Sequence, residues 1–160
     1  MAKFFDTNED LVKLVNKKYE ETGLKGYNLI LKVMSTNKSK DIAKVTRAGA
    51  ITEFLTKRDN IFTIILVESV LERLSGEEQS MMIEMALSNI SYNSEKDKIE
   101  LDGSPFNQIF RMRRKYGDKF INTLETCYLI AEQIEEEEKQ RKSDEREAKK
   151  AKAQRGMNID

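Results

Sequence analysis

The apolar positions along the chain fall into two periods, and these periods predict the elements. Leu11, Val12, Val15 and Tyr19 recur at the spacing of one helix face. Thr7 and Asp10 precede them with capping-box-like spacing, Asp standing in for the usual Glu or Gln, and Gly23 supplies a stop. In YNLILKVMSTNKSKDIAKVTRAG, Leu29, Leu31 and Val33 alternate with Ile30, Lys32 and Met34. After a polar stretch, Ile42, Ala43 and Val45 resume the apolar character, which predicts a hairpin of two strands over 27–34 and 41–47. AITEFLTKRDN is short and reads as a helical turn or a loop. IFTIILVES, 61–69, is β-branched and has no polar face, so it predicts a strand that is buried on most of its surface.

Ser75 and Glu78 make a capping-box pattern ahead of QSMMIEMALSNI. Met82, Met85, Ala86 and Ile90 form one stripe with Ile83 and Leu87 beside it, so this is a core helix against the sheet. A short strand is expected around Lys98–Leu101. SPFNQIFRMRRKYG reads as a helix with Phe106, Ile109 and Phe110 facing in and Arg111, Arg113, Arg114 and Lys115 facing largely out. A last helix begins at Asp118, packed through Phe120, Ile121, Leu124, Cys127, Tyr128 and Ala131. The expected class is α+β: a small antiparallel or mixed sheet of three to four strands packed with helices, followed by a long charged C-terminal helix. The compact domain spans 1–134. The tail, 135–160, is expected to be helical and to fray to disorder, steadied by pairs at i and i+4 such as Glu135 with Lys139, Glu137 with Arg141, Glu138 with Lys142 and Glu145 with Lys149. It has no apolar seam for a coiled coil.

Composition narrows the chemistry. The chain has 160 residues, 35% of them charged, and a net charge of zero, so no global field drives it onto nucleic acid. No apolar run reaches the roughly 18–20 residues of a membrane span. The N-terminus lacks the apolar stretch of a signal peptide, and the single cysteine, Cys127, has no partner for an internal disulfide. The chain is read as cytoplasmic, with Cys127 a buried core thiol. The absence of histidine removes Ser-His-Asp and Cys-His catalysis and the usual zinc sites. A site for Mg²⁺ or Mn²⁺ built only from carboxylates is left open.

The order of elements, with the words GEEQ and RRKYG, resembles the zincin-like metallopeptidases of phage genomes over roughly residues 25–125. The resemblance implies that the helix carrying IEMALSNI occupies the place of a His-Glu-x-x-His helix. Met85, Ala86 and Asn89 then take the places of the first histidine, the glutamate and the second histidine, and DGSPF lacks the third ligand. Met, Ala and Asn supply neither basic nitrogen nor a carboxylate base for a zinc-bound water. Glu84 lies one residue away and is rotated by about 100 degrees around the helix. The same stretch reads equally as a core helix that never held a metal, and neither reading has zinc chemistry. No cofactor is expected.

Three functions are weighed. The first is a non-catalytic interaction or accessory protein on a degenerate metallopeptidase-like scaffold. It would be phage-encoded, act in the host cytoplasm or the virion, and meet a protein partner through the charged tail or an exposed strand edge. The second is a nucleic-acid-associated module using helix 106–119, with Arg111, Arg113, Arg114, Lys115 and Lys119 as contacts beside Phe110 and Tyr116. The alternative for those cations is a solvated helix face. The third is a hydrolase with Glu95, Asp97, Glu100 and Asp102 as metal ligands, residues that equally suit a solvated edge strand. The first is favoured.

Overall fold

The computed structural model of the protein describes residues 1–157. In chain order the elements are β1 (Phe4–Phe5), α1 (Glu9–Glu21), a 3₁₀ turn (Leu24–Gly26), β2 (Ile30–Thr36), β3 (Ala43–Arg47), α2 (Ala50–Thr56) and β4 (Ile61–Leu66). Then follow α3 (Glu68–Leu71), α4 (Gly76–Leu87), β5 (Ile90–Asn93), β6 (Lys98–Leu101), α5 (Pro105–Tyr116) and α6 (Asp118–Met157). The fold is α+β. It has a four-stranded mixed sheet in the order β1-β2-β4-β3, a two-stranded sheet of β5 and β6, and a long C-terminal helix.

The expected hairpin does not form. β4 enters between its two strands, parallel to β2 with Ile30 opposite Ile61 and antiparallel to β3 with Ala43 opposite Leu66. The physical reason lies in β4 itself. Ile61, Phe62, Ile64, Ile65 and Leu66 are all buried, and a strand with no polar face leaves fewest groups unpaired at the centre of a sheet. The six residues between β2 and β3 therefore span a gap one strand wide. Phe62, Ile64 and Leu66 face the helical layer and join the main core. On the opposite face Thr63 stands opposite Lys32 of β2 and Ile65 opposite Lys44 of β3.

Asn8, rather than Thr7, caps α1, accepting from the Asp10 amide at 2.8 Å, while the Thr7 hydroxyl meets the Ser35 hydroxyl. Leu11 and Val15 carry α1 into the core. The capping box of α4 is complete: Ser75 accepts from the Glu78 amide and Glu78 from the Ser75 amide. The helix ends at Leu87, so IEMALSNI is split, and Ile90 starts β5 instead of extending the helical stripe. β5 pairs with β6, and its connection is organised by the Asn93 side chain, which accepts from the amides of Glu95 and Lys96.

In α5 the cations Arg113, Arg114 and Lys115 are exposed as expected, but the apolar residues expected inside are not buried. Ser104 caps it and Pro105 opens it, but Phe106 and Phe110 are exposed, Ile109 is partly exposed, and Met112 is the buried residue. The polar tethers described below hold that orientation. In α6, Phe120, Thr123 and Cys127 are buried, while Tyr128, expected in the core, is exposed. The last tie between α6 and the domain is the ion pair of Glu137 with Arg73 at 2.8 Å. Glu137 is thereby drawn away from Arg141, which pairs with Glu145, and only the Glu135–Lys139 pair forms as expected. From Glu138 to Met157 every residue is exposed and helical. The end of the predicted tail, 158–160, lies outside the described residues. Removing residues 139–160 is expected to leave the melting temperature nearly unchanged, within the roughly 0.5 kcal/mol of surface changes. Phe120→Ala should cost about 3–5 kcal/mol. Thermal and urea unfolding check both.

Candidate functional site

The last turn of α4 is where the chemistry was expected. Its side chains have been distributed to two opposite sides. Met82, Met85 and Asn89 line a crevice of about 340 Å³, and Ala86 is fully buried behind them. The facing walls are residues 40–45 leading into β3, the link 101–105, Gln108 and Ile109 of α5, and Leu124, Cys127 and Tyr128 of α6. Burial pushes the Cys127 thiol up to about 11, helped by the nearby charge of Glu78, so it is an inert wall and not a nucleophile.

The polar groups near this crevice hold one another. Arg111 donates to Asp102 at 3.1 Å and to the Asn89 side-chain oxygen at 2.9 Å, and Asn89 donates to Gln108 at 3.2 Å. The Arg111 Nε is buried and has no partner among the described residues. Asp102 also accepts from the Ser104 amide and from Asn107. The Ser104 amide first, and Arg111 next, hold its carboxyl below the usual range. It is a saturated anion that orients α5.

Glu84 faces the other way, as its rotation requires. It accepts from the Lys115 ammonium and the Tyr116 hydroxyl, and Lys18 stands 3.9 Å away. Lys115 and Tyr116 come from RRKYG, so two of the five residues of that word clamp α5 to α4. The five candidate nucleic-acid contacts are thus divided. Arg111 is held by Asp102, Lys115 by Glu84 and Lys119 by Glu77. Arg114 lies over the Phe110 ring at 5.6 Å. Arg113 is exposed.

The four candidate metal ligands do not converge. Asp97 accepts from the Tyr92 hydroxyl, Glu100 from Asn93 and Lys96, and Asp102 from the groups above, while the Glu95 amide donates to Asn93. Among the described residues no group of three or more His, Cys, Asp or Glu side chains stands close enough to hold a metal ion. No helix there is long and apolar enough to cross a membrane.

Two surface features escaped the sequence reading. β3 is an edge strand, yet Ala43 and Val45 are buried, so its free backbone row sits inside the crevice walls and is closed to simple strand addition. α2 buries none of its residues. The i, i+3, i+4 spacing in AITEFLT and in PFNQIF was the available signal, but periodicity does not say which way a face points. Comparison with protein-family models, curated proteins and solved structures finds no match for this chain.

The Glu84 clamp has a pH signature. Hydrogen bonding to Glu84 raises the Lys115 pKa, and burial followed by the Glu84 contact raises that of Tyr116. A folded-state pKa above the unfolded value stabilises below the unfolded pKa and is lost as pH rises through the folded one. The clamp should therefore be intact at neutral pH and fail above about pH 10, where Lys and Tyr begin to titrate. The urea midpoint of the native chain should fall there more steeply than that of Tyr116→Phe. Parallel curves would remove the clamp.

Proposed function

We propose that the protein is a non-catalytic interaction protein whose docking surface is the crevice between α4, β3, α5 and α6. One observation carries this reading. The positions that the zincin resemblance assigns to metal ligands, Met85 and Asn89, line a space whose walls are mostly apolar and whose polar groups on the α5 side, Asn89, Asp102 and Gln108, are hydrogen-bonded within the fold. Its volume is at the lower end of the roughly 300–1,000 Å³ of ligand sites. The rim carries exposed apolar side chains, Ile109 and Tyr128, which is the composition of a protein-contact surface. A frame of metallopeptidase type with its ligands replaced, phage-encoded and working in the host cytoplasm or the virion, is the setting that fits the resemblance. The dispersal of the four carboxylates counts against the hydrolase reading. The pairing of Arg111, Lys115 and Lys119 within the fold weakens the nucleic-acid reading.

The test is selection of a random peptide library on the purified chain. Peptides with apolar anchors should be enriched, and Ile109→Glu should weaken them at least about tenfold, or 1.4 kcal/mol. The same peptides incubated with the chain and added zinc should be recovered intact. Cleavage would overturn the non-catalytic reading. Enrichment indifferent to Ile109→Glu would move the docking surface elsewhere. A duplex-DNA mobility shift lost on Arg113→Glu with Arg114→Glu would favour the basic helix instead.

A further inference from the structure

α2 carries its apolar face on the outside. Ile51, Phe54 and Leu55 lie on one side of the helix and are 77%, 81% and 72% exposed. The crevice carries the complementary feature. At its rim Ile109 and Tyr128 are 40% and 62% exposed, and on the helix that carries Ile109 the side chains of Phe106 and Phe110 are 86% and 64% exposed. One chain thus presents an apolar helix and an apolar crevice, and both adjoin the edge strand β3. Residues 40–45, which line the crevice, lead into its N-terminal half, and α2 follows its C-terminal end.

We propose that the occupant of the crevice is α2 of a second copy of this chain, in a two-fold symmetric dimer. The inference rests on the docking-surface reading above and names its partner. A two-fold axis perpendicular to β3 runs the partner's strand antiparallel. It carries each α2 from the C-terminal end of its own β3 to the N-terminal half of the other, where the crevice opens. Both contacts are then identical, as a closed two-fold interface requires. The mode is an amphipathic helix laid in a groove, read through anchors at i, i+3 and i+4.

Two further observations support a second copy. Aromatic residues bring 150–250 Å² each, so these seven side chains present on the order of 1,000 Å² per chain. A standard stable interface takes about 800 Å² per partner. Burial of Ala43 at 1% and Val45 at 8% closes the competing route, backbone pairing of two β3 edges.

The experiment is sedimentation of the full chain at tens of micromolar, with two variants. The native chain should have the mass of two copies. Phe54→Glu and Ile109→Glu should each reduce it to one, with unchanged circular dichroism, because both side chains are already exposed in the single chain. Mixing separate Phe54→Cys and Ile109→Cys chains under oxidation should give a disulfide joining unlike chains, with Cys127 silent. A single-copy native mass would overturn the proposal, as would a dimer indifferent to Phe54→Glu or a disulfide joining only like chains. The two readings fail separately. A single-copy chain that still binds the selected peptides loses the dimer and keeps the docking surface, and one that binds none loses both.

Discussion

A strand that is apolar on both faces has to be paired on both edges and covered above and below. β4 is that strand, and its needs organise the rest. It separates β2 from β3, so β3 becomes the edge of the sheet, and the polar link between them becomes a crossing. It turns Phe62, Ile64 and Leu66 to one side, where α4 brings Met81, Met82, Ile83 and Leu87 to meet them. Burying such side chains is worth roughly 1.5–3 kcal/mol each before entropy is charged, so no arrangement leaving β4 at an edge competes.

The orientation of α5 follows from charge and not from oil. Its most apolar face, with Phe106, Ile109 and Phe110, would be placed inward by a hydrophobic argument alone. Opposing that are two anchors on α4 and its exit: Glu84 against Lys115 and Tyr116, and Asn89 with Asp102 against Arg111. Partly buried charge-assisted hydrogen bonds are stronger than neutral ones and leave costly orphans when broken. They decide the rotation, and the apolar face is left outward beside the crevice.

Local patterns were legible where the determinant was local. The capping box at Ser75, the apolar strand expected at 61–69 and found at 61–66, where α3 cuts it short, the strand at 98–101 and the buried Cys127 were readable from neighbouring residues. The pairing of β3 with β4, and the outward face of α5, depend on partners far away in sequence, and periodicity is silent about them. β5 was missed because Ile90 continues the stripe of the preceding helix, so the chain reversal at Ser88–Asn89 leaves no mark in the period. The crevice was half visible: Met85 and Asn89 were singled out, but its opposite wall at 40–45 follows only from the sheet order.

α6 leaves the domain at Glu137 and continues for some twenty residues, about 30 Å of unsupported helix. Few intrahelical ion pairs hold that stretch, and an isolated helix of this length is marginal in water. Its melting is therefore thermodynamically decoupled from the core: turns can be lost or regained without moving any residue of the crevice. Substitutions there are free of the packing constraint that governs the elements of the core. The tail is the part of the chain in which charge can be rewritten without the fold registering the change.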